Sequence, residues 1–203
     1  MKKIIVLLAC LSFYFCHSLM AEEVGVVNEL HSGIPAPAKD KAQIVFLKPI
    51  EGIMAGLPVQ IFEIKNAERE FFGVMETKSK LIVNVEPGKH LFMSTMVNFS
   101  HFMDTDLVAG KRYYVLVRFI YANGFQLRPI KTNGPADYSP ANPQFNVWKA
   151  QTTDAKKTPA NEKYASKQAK RVARSQEKSW KTWQAKTPAQ RAELSLKKED
   201  FLD

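Results

Sequence analysis

Residues 107–130 read LVAGKRYYVLVRFIYANGFQLRPI, and this stretch decides the fold. Arg112 to Ile120 and Phe125 to Ile130 are short runs rich in Val, Tyr, Phe, Ile and Leu, the texture of β-strands, and each is bounded by glycine, asparagine or proline. Ala109-Gly110-Lys111 stands directly ahead of the first run. Glycine supplies the positive φ of a tight connection, so the spacing predicts an antiparallel hairpin turn there. Working outward, Val85-Glu86-Pro87-Gly88-Lys89 repeats the device ahead of His90 to Val97. Neither turn is a phosphate-binding loop, because the other glycines of that motif are absent and a strand follows where a helix should start.

Further strands are predicted at Gln43 to Leu47, Pro58 to Ile64, Glu70 to Met75, Leu81 to Val85 and His101 to Leu107. Pro58 fits only a strand start and Pro129 an edge or terminus, since proline donates nothing to a ladder. Eight short strands at close spacing predict a mainly β domain, a small antiparallel β-sandwich over residues 42–130.

The run Ile44-Val45-Phe46-Leu47-Lys48-Pro49, the glycine-bearing apolar loop after it, Glu86-Pro87-Gly88-Lys89-His90 and Ala109-Gly110-Lys111-Arg112-Tyr113-Tyr114-Val115 together resemble an exported bacterial family catalogued as domain of unknown function 2846. The resemblance covers about residues 42–130. It implies a small β-sandwich and residence in the cell envelope, and it brings no catalytic residues. Many members of that family are lipoproteins.

The amino terminus agrees with export. Lys2-Lys3, an apolar run from Ile4 through Leu11 and on through Phe13-Tyr14-Phe15, and a more polar stretch ending at Ala21 have the three-part order of a signal peptide, with cleavage expected after Ala21. Leu7-Leu8-Ala9-Cys10 offers a rival lipoprotein site, but only Ile4 to Ala9 then separate the basic pair from the cysteine, shorter than the ~7 residues usually needed. Cys10 and Cys16 both lie in the leader, so the mature chain has no disulfide, thiol nucleophile or cysteine metal site. No second long apolar run follows, which predicts a mature chain without a transmembrane span, in the periplasm or on the periplasmic face of the outer membrane.

The formal net charge of +9 falls to +7 when Lys2 and Lys3 leave with the leader. From Gln151 onward there are 13 Lys and Arg against 7 Asp and Glu, so nearly all the excess belongs to the carboxy-terminal part. Residues 22–41 read as a linker and 131–157 as a connection crowded with proline and asparagine. Phe145 and Trp148 in that connection are expected to cover an end of the sheet. Residues 158–203 read as a basic helical tail: Thr158-Pro159 and Thr187-Pro188 are N-caps with proline at the first helical position, predicting helices from Pro159 to Lys186 and from Pro188 to about Ser195.

On the long helix, Lys163, Lys167, Lys170, Arg171, Arg174, Lys178 and Lys181 share one face. Ala165, Ala169, Val172, Gln176, Trp180 and Trp183 share another, about 200° away. One reading makes this a membrane- or anion-binding helix, with the lysines and arginines drawn to an anionic surface and Trp180 and Trp183 at headgroup level. The plainer reading makes the basic face a solvated one whose opposite stripe packs on the β domain or on another helix.

A second constellation is His90, Met96, His101 and Met103, with Met93 on the other strand face: a soft-metal set for monovalent copper, or simply core methionines and strand-end histidines. A third is the glycine-rich apolar loop from Lys48 to Leu57, read as an exposed lip or a cover over the sandwich end. Asp104 with Asp106 and Ser100 with His101 stand in no recognised catalytic context. The sequence therefore predicts a non-enzymatic envelope module with no cofactor, taking an anionic envelope surface or an envelope protein as partner and no nucleic acid. The alternative is a periplasmic small-ligand or copper-binding protein; oligomeric state is left open.

Overall fold

A computed structural model describes residues 33–51, 53–66 and 68–202. The expected leader, with its rival site at Cys10, and most of the 22–41 linker lie outside the described residues. Eight strands follow in order: β1 (Ala42–Lys48), β2 (Val59–Lys65), β3 (Glu68–Met75), β4 (Ser79–Val85), β5 (Gly88–Met96), β6 (Phe99–Leu107), β7 (Arg112–Ile120) and β8 (Gly124–Pro129). Each boundary lies within two residues of the one expected from sequence. Then come α1 (Pro143–Gln151), the short β9 (Thr153–Asp154), α2 (Pro159–Gln184), α3 (Pro188–Ala192) and the short β10 (Ser195–Leu196).

The strands form two five-stranded sheets, ordered β8-β7-β1-β4-β9 and β10-β6-β5-β2-β3. The mainly β sandwich with a carboxy-terminal helix is thus what the chain builds. Its sheets are mixed: β1 runs parallel to β7, β4 to β9 and β6 to β10, while the other pairings are antiparallel.

Among β1 to β8 the chain changes sheets four times, from β1 to β2, from β3 to β4, from β4 to β5 and from β6 to β7. The two Gly-Lys turns are the last two of these crossings, not the hairpins expected of them. Gly88 and Gly110 do take φ of +117° and +71°. A glycine in that region marks a sharp corner, and a corner says nothing about whether the next strand pairs with the last one or faces it across the core. The true hairpins are β2–β3, β5–β6 and β7–β8.

Strand alternation puts Ile44, Phe46, Val115 and Val117 of the first sheet against Ile61, Phe92 and Met103 of the second. Phe46 meets Phe92 edge-on, with centroids 5.6 Å apart. Fully burying each such side chain stabilises the fold by about 1.5–3 kcal/mol, and this layer is the main core. The sheets' outer faces are covered too. On the first, Phe145 of α1 stands perpendicular to Tyr114 with centroids 5.1 Å apart, and Arg118 and Arg128 lie over the Tyr138 ring at 5.0 and 4.5 Å.

α1 lies inside the 131–157 segment expected to be an irregular connection. Its start is a legible signal, since the Asn142 side chain accepts from the Gln144 N–H at 2.9 Å and Pro143 takes the first turn.

The carboxy-terminal segment is built into the sandwich. Leu196 is 1% exposed and belongs to the main core, β10 pairs with β6, and the Leu202 N–H donates to Arg112 O at 2.8 Å. The Tyr113 hydroxyl accepts from the Val108 N–H and donates to Lys198 O, tying the crossing from β6 to β7 to the same segment.

Candidate functional site

The basic surface is made by α2, and its geometry follows from what holds the helix down. Thr158 caps the start by accepting from the Asn161 N–H at 3.2 Å. Val172 and Trp183 are buried with Phe62, Met93, Phe102 and Leu194 on the outer face of the second sheet. Between them Ser175 Oγ is 2.8 Å from Ser100 Oγ, which also bonds Thr95 Oγ1, and the Ser100 N–H donates to Ser179 Oγ. The long helix therefore packs on the β domain.

Its buried stripe is not quite the one expected from sequence. Ser175 is buried and Ala169 is exposed. The reason is chemical: Ser100 presents buried polar groups on the sheet, and serines satisfy them where alanines cannot. Hydrophobic patterning discounts serine, so that part of the interface was not found; a serine pair four residues apart is the signal that could have found it.

Trp180 and Trp183 part company. Trp183 is 4% exposed, its ring centroid 6.1 Å from that of Phe102, whereas Trp180 meets the Phe102 edge and stays 37% exposed. Trp183 thus belongs to the fold and is withdrawn from any surface.

The cations remain outside. Lys163, Lys167, Lys170, Arg171, Arg174, Lys178 and Lys181 are all exposed, and among the described residues none of them is in an ion pair. At 1.5 Å per residue they form a strip about 27 Å long. Arg171 Nε donates to Asn98 Oδ1 at 3.0 Å, and Arg171, Arg174 and Lys178 line a depression of about 570 Å³ with Asn98 and Ser175. A smaller cleft of about 170 Å³ continues past Lys178 to His101, Asn123 and Lys186.

The histidine and methionine set is dispersed. His90 pairs with Thr105 and His101 with Ser94 across β5 and β6, so the two histidines stand four strand positions, or about 13 Å, apart. Histidine ligands need nitrogens about 2 Å from one metal. Met96 and Met103 are core side chains. Both ring nitrogens of His90 are engaged, Nδ1 with Glu63 Oε1 at 2.6 Å and Nε2 with Glu86 O at 2.7 Å. Because a carbonyl only accepts, Nε2 is the donor to Glu86 O, and Nδ1 lies within hydrogen-bond distance of the Glu63 carboxyl. Lys65 Nζ sits 3.0 Å from the other Glu63 oxygen.

His101 Nε2 donates to Asn123 O at 2.6 Å. Burial holds its pKa below the ordinary histidine value against that bond, with Lys186 and Arg118 adding to the depression. Among the described residues no group of three or more His, Cys, Asp and Glu side chains could hold a metal ion.

The apolar loop after β1 folds over the sandwich end, with Ile50 and Leu57 against the core. It hides a residue that nothing in the sequence singles out. Lys48 is 0% exposed, and its Nζ donates to Ala55 O at 2.6 Å and Glu76 O at 3.0 Å, 5.0 Å from the centre of the Phe125 ring. Burial pushes its pKa down to about 8, with Glu76 opposing. Through these two carbonyls, one in the loop and one after β3, Lys48 anchors the loop to the sandwich. Neither a protein-family model nor a curated protein matches the chain.

Proposed function

We propose that this chain is an exported, non-enzymatic envelope module that attaches peripherally to an anionic membrane surface through the exposed face of α2. The observation that carries the reading is the set of seven exposed cations without ion-pair partners among the described residues, on a helix whose other side is consumed by the sheet. Lysine and arginine near an anionic leaflet contribute about 1 kcal/mol each, an attraction that decays within a Debye length of about 10 Å at 0.1 M salt. Attachment is then electrostatic and salt-sensitive, without burial of the helix's own apolar stripe. No helix among the described residues is long and apolar enough to cross a membrane.

The non-enzymatic part is supported by the engagement of the reactive groups: Ser100 Oγ is bonded to Thr95 and Ser175, and His101 Nε2 to Asn123. Residence in the periplasm or on the periplasmic face of the outer membrane rests on the leader-like amino terminus and on the resemblance to the exported domain-of-unknown-function family, for which a sandwich over residues 42–130 is the implied fold.

Deleting residues 158–203 is not a usable test, because it removes β10 and Leu196 and bares Phe62 and Phe102. The test is sedimentation of the exported chain, Glu22 to Asp203, with phosphatidylglycerol and phosphatidylcholine vesicles, beside a Lys167→Glu, Lys170→Glu, Arg174→Glu variant. We expect binding to the anionic vesicles alone, weakened by salt and by the charge reversal. Equal binding by both proteins sinks the proposal.

A further inference from the structure

Large apolar side chains at least a third exposed are few among the described residues: Val97 at 43%, Tyr121 at 89%, Val147 at 36% and Trp180 at 37%. Val97 and Tyr121 occupy the tips of two different hairpins, β5–β6 and β7–β8. These hairpins lie side by side. His101 of β6 bonds Asn123 O at the other tip, and a Cβ placed on Gly124 would stand 2.8 Å from Phe99 Cβ.

Both tips border the basic surface. Asn98, next to Val97, holds Arg171 and lines the larger depression with Arg174 and Lys178; Asn123, two residues after Tyr121, lines the smaller cleft with Lys178 and Lys186. No acidic side chain lines either one.

Val97 adds a second kind of observation. Its φ is +55°, in the left-handed region that glycine and asparagine occupy easily and β-branched residues avoid. The tip thus holds a strained backbone and an exposed apolar side chain on one residue, where asparagine would relieve both. Strain kept at an exposed position points to use.

We infer, resting on the attachment proposed above, that the two tips are interfacial anchors. At an anionic bilayer Val97 and Tyr121 enter the boundary between headgroups and acyl chains, while Arg171, Arg174 and Lys178 meet the headgroup phosphates beside them. Tyrosine suits that depth, with an apolar ring and a hydroxyl that stays wet. The occupant is a bilayer because cations flank apolar tips in one continuous patch, the arrangement of an anionic headgroup layer over hydrocarbon. The sandwich then stands end-on, its β2–β3 hairpin facing away.

The experiment places single cysteines at Val97, Tyr121 and Glu70 of the chain from Glu22 to Asp203, which has no other cysteine, each carrying an environment-sensitive dye. Phosphatidylglycerol vesicles are added, with sedimentation measured in parallel. Blue-shifted emission at 97 and 121 with none at 70 is the expected result. Vesicle binding with all three dyes still in water overturns the anchors and leaves the electrostatic attachment standing; absence of binding overturns both. Independently, Val97→Asn should weaken vesicle binding by about threefold, the order expected for losing one partly inserted aliphatic side chain, while its thermal midpoint holds or rises. A lowered midpoint, or unchanged binding, refutes the role given to Val97.

Discussion

Lys48 makes folding stability depend on pH in a way that can be worked through. In the unfolded chain its amine has the ordinary value of 10.5; in the sandwich, burial lowers it to about 8. The folded state therefore binds this proton more weakly. Below pH about 8 both states are protonated and folding carries the whole desolvation cost. Above 10.5 both are neutral and the cost is gone, so stability rises with pH between those values. At 1.36 kcal/mol per pKa unit the gain is about 3 kcal/mol, a slope of about 1.4 kcal/mol per pH unit near pH 9.

Lys48→Met isolates this contribution. The methionine removes the buried charge but leaves Ala55 O and Glu76 O without their donor, at about 1–3 kcal/mol each. The two effects offset near pH 7, and the variant should fold. Urea unfolding of both proteins at pH 7.5, 8.5 and 9.5 then gives two profiles that start close together and diverge as pH rises, with only the wild type gaining the extra slope. Tyr113 and Tyr114, whose pKa values burial raises, and Lys41 and Lys65, raised by hydrogen bonds to carboxylates, act alike in both proteins and cancel in the comparison. Parallel profiles would show that the Lys48 proton is bound equally in both states and would refute the reasoning.

Other outcomes follow from the packing. Trp183→Ala should cost about 3–5 kcal/mol by emptying the cluster with Phe102 and Val172, and Trp180→Ala only about 1 kcal/mol; equal shifts in thermal midpoint would mean α2 is seated differently. Gly124→Ala combines a φ of +82° with a Cβ 2.8 Å from Phe99 and should lose about 2–4 kcal/mol, so a midpoint close to wild type contradicts the contact between the two hairpins. Glu63→Gln keeps a hydrogen-bonding group toward His90 Nδ1 and should cost about 1 kcal/mol, whereas Glu63→Ala strands a buried partner at about 3–5 kcal/mol; urea midpoints that do not separate the two would mean that this contact does not support the fold.

The parts legible in sequence were those encoded within a few residues. Arg112 to Ile120 could be read as a strand to the residue because β-branched and aromatic side chains fill most positions of its pleat. The starts of α2 and α3 were equally plain, since a threonine followed by proline satisfies the first amides wherever the helix docks. Lys48 was illegible for the opposite reason: a lysine ending an apolar run looks like a strand leaving the core, and only the loop that folds back over it makes it buried.

The candidate site divided along the same line. The spacing of the cations from Lys163 to Lys181 puts them on one face whatever the helix packs against, because 3.6 residues per turn is a local constraint. Whether Trp183 lies under the helix or out at a surface depends on whether Phe62, Met93 and Phe102 present an open apolar face, and those residues come from β2, β5 and β6. The serine contacts of Ser175 and Ser179 were out of reach of hydrophobic periodicity altogether.

By itself, then, the sequence determined the strands, the helix starts and caps, the glycines at the corners and the basic stripe, each set by dihedral preference and side-chain period over short spans. Tertiary structure decided which strands are neighbours, that Gly88 and Gly110 carry the chain from one sheet to the other, that the apolar side of α2 is spent on the fold, and that Val97 and Tyr121 come out beside the same cations. Those outcomes depend on which buried faces meet across the core, a choice made by burial summed over residues far apart in the chain, and no window along the sequence contains it.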